Sequence, residues 1–237
     1  MKIITYSLEE RLNIFQKKSI QSLINNGYDV DLYTYNKNVT NLNVNIKNPE
    51  KIIKFIDIEK IIPPKIKNFY FKIKLSYHLG GIIIDPDVFC LKFYNFPENI
   101  LISSSPDNQY LNTIPDYSII KLPKKSKIMH CMVHHFFMLY NDFILEYNPE
   151  DNIPEILMNL IDKTFHVELK EWKFSNSCNS EDWKSQLGIH KNISENIITD
   201  INELQYFVKI WDENILCNLD INELNLQKNC LLGKLLR

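Results

Sequence analysis

Two carboxylates two residues apart, Asp85 and Asp87, stand at the end of an apolar run within LGGIIIDPDVFCL, residues 79–91. In extended backbone, residues i and i+2 point the same way, so both side chains are expected on one side of a strand end. Pro86 between them lacks a ladder donor and holds Asp85 extended. That predicts that regular pairing stops there and leaves the chain open to a ligand. Convergent carboxylates suit a hard divalent cation: Mg2+ or Mn2+ takes oxygen ligands, and one or two protein carboxylates suffice when substrate phosphates complete the shell. D-x-D by itself is common, and an acidic turn after a core strand is the competing account.

The elements that must position these groups are legible around them. Ile82, Ile83 and Ile84 form a β-branched run without a polar face, which predicts a strand buried on both sides. Gly80 and Gly81, two of only five glycines, mark a backbone position that tolerates little else. Upstream, Ile66, Phe69, Tyr70, Ile73 and Tyr77 recur at helical spacing after Pro63 and Pro64, with Lys65, Lys67, Lys72 and Lys74 off that stripe. Residues 2–5 read as a first strand. Ser7 and Glu10 form a capping box ahead of the apolar positions Leu12, Phe15, Ile20, Leu23 and Ile24, and Gly27 supplies a stop. Residues 30–35 alternate as a second strand. A β-α-β opening predicts an α/β fold with a parallel sheet and a ligand at the carboxyl ends of its strands. Residues 36–48 read as a loop with some strand, 117–121 as a further strand, and 123–126 as a turn into a helix from 127 to about 140.

Bulk properties narrow the classes. A formal net charge of −2 over 237 residues, with no basic block, gives no indication of a nucleic-acid partner. No stretch approaches the ~18 to 20 apolar residues of a membrane span, and the N-terminus turns charged too early for a signal peptide, so a cytoplasmic location is expected. Cys90, Cys131, Cys178, Cys217 and Cys230 form no CxxC pair, so reduced thiols are expected and the sequons at Asn38 and Asn192 are idle. Heavy use of Ile, Asn and Lys without a single Ala reflects an AT-rich genome rather than chemistry. His130, Cys131, His134 and His135 have helical spacing that could bind zinc, but no further Cys/His cluster accompanies them. Histidines packed on a helix beside Phe136, Phe137 and Met138 are the simpler account.

The helix, the Gly-Gly pair, the isoleucine strand, Asp85-Pro86-Asp87 and the tail Val88-Phe89-Cys90-Leu91-Lys92 follow one another in an order that resembles DXD-containing sugar transferases related to glycosyltransferase family 32, including the capsular polysaccharide synthesis type. Ser19-Ile20-Gln21-Ser22-Leu23, Gly27-Tyr28, Leu32-Tyr33-Thr34-Tyr35 and the closing Cys230-Leu231-Leu232-Gly233-Lys234-Leu235-Leu236 are similar to other parts of that pattern. The resemblance implies a GT-A-like, Rossmann-like nucleotide-sugar-binding sheet flanked by helices. It implies a single domain over 1–237, with a nucleotide-binding half at about 1–92, an acceptor-side part at about 93–237 and a small C-terminal helical part. It puts Thr5 and Tyr6 where the nucleotide pocket begins, although Tyr6 also suits a staple against the first helix. Lys72 matches a family Arg and so implies a diphosphate contact. Lys209, in Phe207-Val208-Lys209-Ile210-Trp211, stands where relatives carry a His near the metal or diphosphate.

The implied activity is transfer of a sugar from a UDP- or GDP-sugar to a glycan or other hydroxyl acceptor, with retention and with Mn2+ or Mg2+. Asp87 would hold the cation, while Asp85 bonds the ribose or shares the metal shell. Three departures stand against this: Phe69 replaces an Asp that helps hold the nucleotide, Lys209 replaces the His, and no Gly-Pro follows Trp172 or Trp183. They favour the alternative of a degenerate homologue that binds a sugar nucleotide or glycan without turnover. A phosphatase of the haloacid dehalogenase type, whose D-x-D follows a hydrophobic run and normally sits on the first strand, is the other enzyme reading.

Overall fold

The computed structural model describes residues 1–39, 41–61, 64–96, 101–106, 113–146, 169–170, 175–178 and 207–210. The first β-α-β unit is β1 (Lys2–Tyr6), α1 (Ile14–Asn25) and β2 (Asp29–Tyr33), with β1 and β2 parallel. After β3 (Asn45–Lys47) come a short 3-10 turn and α2 (Phe55–Ile58), then α3 (Pro64–Leu79), β4 (Gly81–Ile84) and β5 (Val88–Cys90). β6 (Leu101–Pro106) and β7 (Thr113–Leu122) precede α4 (Lys127–Glu146). The short strands β8 (Leu169–Lys170), β9 (Ser175–Cys178) and β10 (Phe207–Ile210) follow.

Among the described residues, seven strands form the main sheet in the order β3-β2-β1-β4-β7-β6-β8. β3, β2, β1 and β4 are parallel, β7 runs antiparallel to both β4 and β6, and β8 is parallel to β6. The sheet is therefore mixed, with the predicted parallel part as one half. A second sheet, β5-β10-β9, starts where β4 ends.

Alternation along the parallel strands sends residues to two cores. Ile4, Tyr6 and Ile83 pack with Phe69, Phe71 and Ile73 of α3 and with Met132 and Phe136 of α4. Ile3, Val30, Leu32, Ile82 and Ile84 pack with Ile20 and Leu23 of α1.

The first helix starts later than its apparent capping box. Ser7 N donates to Tyr33 O at 3.0 Å, so residue 7 still belongs to the β1 ladder and the amide that a capping box would give to Glu10 is already taken. Asn13 caps instead: its side chain accepts from Gln16 N, and the Gln16 side chain accepts from Asn13 N. Gly27, at φ +84°, ends α1 as expected.

α3 is buried over more than one stripe. Ile66, Phe69, Tyr70, Phe71, Lys72, Ile73, Leu75 and Ser76 are all inside, because the helix packs against both the sheet and α4. Lys67 pairs with Glu59 at 3.0 Å, and Lys74 stands 5.9 Å from the Tyr70 ring centre. The helix leaves through Gly80, at φ +67°, where a Cβ would come within 2.3 Å of Lys124 N. Only glycine permits that approach.

Three parts of the sequence reading fall outside the described residues: the C-terminal helical part, Trp172 and Trp183, and the 230–236 run. Among the described residues no helix is long and apolar enough to cross a membrane.

Candidate functional site

Tyr6, Lys72 and Asp85 come from three elements and meet on the α3 face. Continuing the β1–β4 register, Ile3 to Ile82 and Ile4 to Ile83, brings Tyr6 level with Asp85 on neighbouring parallel strands. Tyr6 donates its hydroxyl to Asp85 Oδ1 at 2.9 Å. Lys72 Nζ, from the middle of α3, donates to Oδ1 at 2.7 Å and to Oδ2 at 2.9 Å. Lys72 is 2% and Asp85 6% exposed, so this is a buried ion pair. Burial of either charge alone would cost several kcal/mol, and the pair is tolerable because hydrogen bonds satisfy both oxygens. The Tyr6 ring is set by Phe71, with centroids 5.7 Å apart.

Asp85 and Asp87 do not lie on one extended strand. Asp85 N still donates to Ser118 O at 2.9 Å, so pairing with β7 runs one residue past β4 and stops at Pro86, where the proline was expected to end it. Val88 N then donates to Asp85 O at 3.2 Å, closing residues 85–88 into a turn. Proline's fixed φ suits the second position of such a turn, which is why Pro86 bends the chain here instead of extending it. Asp87 is half-buried in that turn, with Oδ1 shielded from solvent.

The chain leaving the turn is held from the α1 face by neutral groups. Ser19 donates its hydroxyl to Val88 O at 2.5 Å, Ser22 Oγ accepts from Cys90 N at 2.8 Å, and Asn26 Nδ2 donates to Cys90 O at 3.2 Å. Burial pushes the Cys90 thiol up to about 12. The other edge of β5 pairs with β10, and the register sets Lys209 opposite Val88, next to Asp87. Sequence reasoning did not assign these anchoring roles to Ser19, Ser22 and Asn26. Their signal is polar side chains at i, i+3 and i+7 on a helix with an apolar stripe.

The remaining expected residues lie elsewhere. Thr5 alternates to the α1 face, away from Tyr6, where its Oγ1 is buried with no hydrogen-bond partner among the described residues. Phe69, one turn before Lys72, is buried toward α4 with its ring 6.5 Å from that of Phe136. On α4, Phe136 is buried, His135 is half-buried, and His130, His134, Phe137 and Met138 are exposed. His135 Nδ1 lies 2.9 Å from Cys131 O.

Among the described residues no group of three or more His, Cys, Asp or Glu could hold a metal ion. A closed protein cage is therefore not formed by these residues. A half-buried Asp87 beside an Asp85 already bonded to Lys72 fits the other mode, in which a cation takes one carboxylate and draws its remaining oxygens from phosphates.

No family model matches the chain, and no curated protein sequence does. Solved structures do. The PaToxG glycosyltransferase is 16% identical over 87% of this chain and 88% of its own, with a TM-score of 0.50. This chain has a glycosyltransferase fold of the GT-A type. The glycosyltransferase GlyE from Streptococcus pneumoniae TIGR4 superimposes on 99% of the chain at 9% identity and a TM-score of 0.51, and the chain spans 61% of that protein. In this glycosyltransferase fold, Tyr6 and Asp85 occupy the carboxyl ends of the adjacent parallel strands β1 and β4, where open α/β sheets bind ligands.

Proposed function

We propose that the chain is a metal-dependent glycosyltransferase that moves a sugar from a nucleotide-diphosphate sugar to a hydroxyl acceptor, with retention. The observation that carries this reading is the Tyr6–Asp85–Lys72 cluster and the Asp87 turn at the strand ends of a GT-A-type fold. A bound Mn2+ or Mg2+ supplies Lewis-acid stabilisation of charge on the departing diphosphate. Asp87 is its protein ligand in this reading. Lys209, brought beside the turn by β10, offers a positive charge to the phosphates. Asp85 orients the donor. The chain works as one domain in the cytoplasm, with its nucleotide half at about 1–92 and its acceptor side at about 93–237.

The test is a thermal-shift panel of UDP- and GDP-sugars with and without Mn2+, on wild type and Asp87→Ala. A ligand that binds only the native state raises the midpoint with its occupancy. One donor should stabilise the wild type only with metal and lose that effect in Asp87→Ala. No shift with any nucleotide under either condition sinks the reading.

One observation favours a second reading, a homologue that binds without turnover. Phe69 sits in the α3–α4 core, where relatives are expected to offer an acceptor to the nucleotide. Nucleotide binding without metal-stimulated donor hydrolysis would select it. The phosphatase reading has less support, since Asp85 follows the fourth strand and is buried against Lys72 rather than exposed as a nucleophile toward a phosphoryl group.

A further inference from the structure

Resting on that reading of the site, we infer that Lys72 and Tyr6 are positioning residues that lock the Asp85 carboxylate and cancel its charge, so that Asp85 adds no net charge to the pull on a cation brought to the turn. Three elements converge on one side chain: β1 through the Tyr6 hydroxyl at 2.9 Å, α3 through Lys72 at 2.7 and 2.9 Å, and β4 through the backbone that carries it. Lys72 straddles both oxygens and is almost wholly enclosed. Its ammonium already occupies the place of a counter-ion. A divalent ion drawn onto the same carboxylate would face that ammonium at short range, in surroundings that screen like charges poorly.

The lock also reaches Asp87. Asp85 O is the acceptor that closes the 85–88 turn, so fixing Asp85 fixes the first corner of the loop that carries Asp87. Lys72 thus contributes through Asp85, and the role toward a diphosphate passes to a cation that does not have to leave an ion pair first.

The experiment is a titration of Mn2+ alone, followed by loss of the free-ion EPR signal, on wild type, Lys72→Met, Asp85→Asn, their double variant and Asp87→Asn. Lys72→Met uncovers a negative charge beside the turn and should tighten Mn2+ about tenfold, while Asp85→Asn uncovers a positive one and should weaken it about tenfold. The double variant restores neutrality and should bind within about threefold of wild type. Asp87→Asn should lose binding altogether. A purely architectural role would instead move both single variants the same way. Loss of Mn2+ in the double variant as complete as in Asp87→Asn would overturn the inference, because Asp85 would then be a ligand itself.

Should Lys72→Met fail to fold, Asp85→Asn and the double variant still decide, since neutralisation requires the second substitution to rescue the first. A wild type that takes up no Mn2+ would count against the metal-dependent function. The lock is then judged by urea denaturation, where the two single variants should each lose stability and the double should recover most of it. Strict additivity there would overturn it.

Discussion

On the α3 face of the main sheet, the chain entering the 85–88 turn is held by a lysine and a tyrosine that bond to one buried carboxylate; on the α1 face, the chain leaving it is held by two serines and an asparagine that bond to backbone. Both faces achieve the same mechanical result over a few residues, but the groups differ in what happens when one is removed. A neutral hydroxyl lost from a backbone partner costs a hydrogen bond and some desolvation. A charge lost from a buried pair leaves its partner uncompensated in a medium that cannot solvate it. Neutral anchors therefore suffice to hold a strand, and a buried ion pair needs a further reason, which the proposed site for an anionic donor and a cation would supply.

The largest test of this contrast is Lys72→Met, which should cost about 3 to 5 kcal/mol by urea denaturation, most of it returned by adding Asp85→Asn. A loss below about 1 kcal/mol would erase the difference between the faces. Ser22→Ala comes next. It strips the acceptor from Cys90 N and should cost about 1 to 3 kcal/mol, with no recovery from substituting any charged group.

The smallest effect is one of pH. Burial raises the Cys90 thiol from 9.0 to about 12, so the thiol is neutral in both folded and unfolded chains below pH 9 and its contribution there is complete. Between pH 9 and 12 the unfolded thiol ionises and the folded one does not, so stability falls as pH rises. The urea midpoint should therefore fall further between pH 7.5 and 10 in wild type than in Cys90→Ala. An equal loss in both would place the Cys90 environment closer to solvent than the α1 face implies.

Much of this arrangement is visible in local pattern. The isoleucine run before Asp85, the helical spacing of Ile66, Phe69, Tyr70 and Ile73, and the β-α-β opening are statements about which side chains avoid water, and the fold obeys them. Lys72 was harder to read. Its spacing puts it off the apolar stripe, and a lysine there is ordinarily solvated; it is inside only because β1 and β4 bring a carboxylate and a phenol to meet it. The start of α1 lies at Asn13 rather than Ser7 for a related reason. Ser7 and Glu10 satisfy a local rule for a cap, but Tyr33, from the neighbouring strand, claims the Ser7 amide first. Pro86 was ambiguous at short range, since the same fixed φ serves an extended residue or a turn.

What the chain determines by itself is composition and period: an α/β class, a buried strand delivering Asp85 and Asp87, and a helix ending in Gly80-Gly81 beside it. Tertiary structure alone decided that the two aspartates have different surroundings, one paired with Lys72 and Tyr6 and the other carried in the turn next to β10. The physical reason is that hydrophobic periodicity is encoded between neighbours in sequence. The partner of a buried charge is chosen by strands and helices that meet only after the sheet has formed.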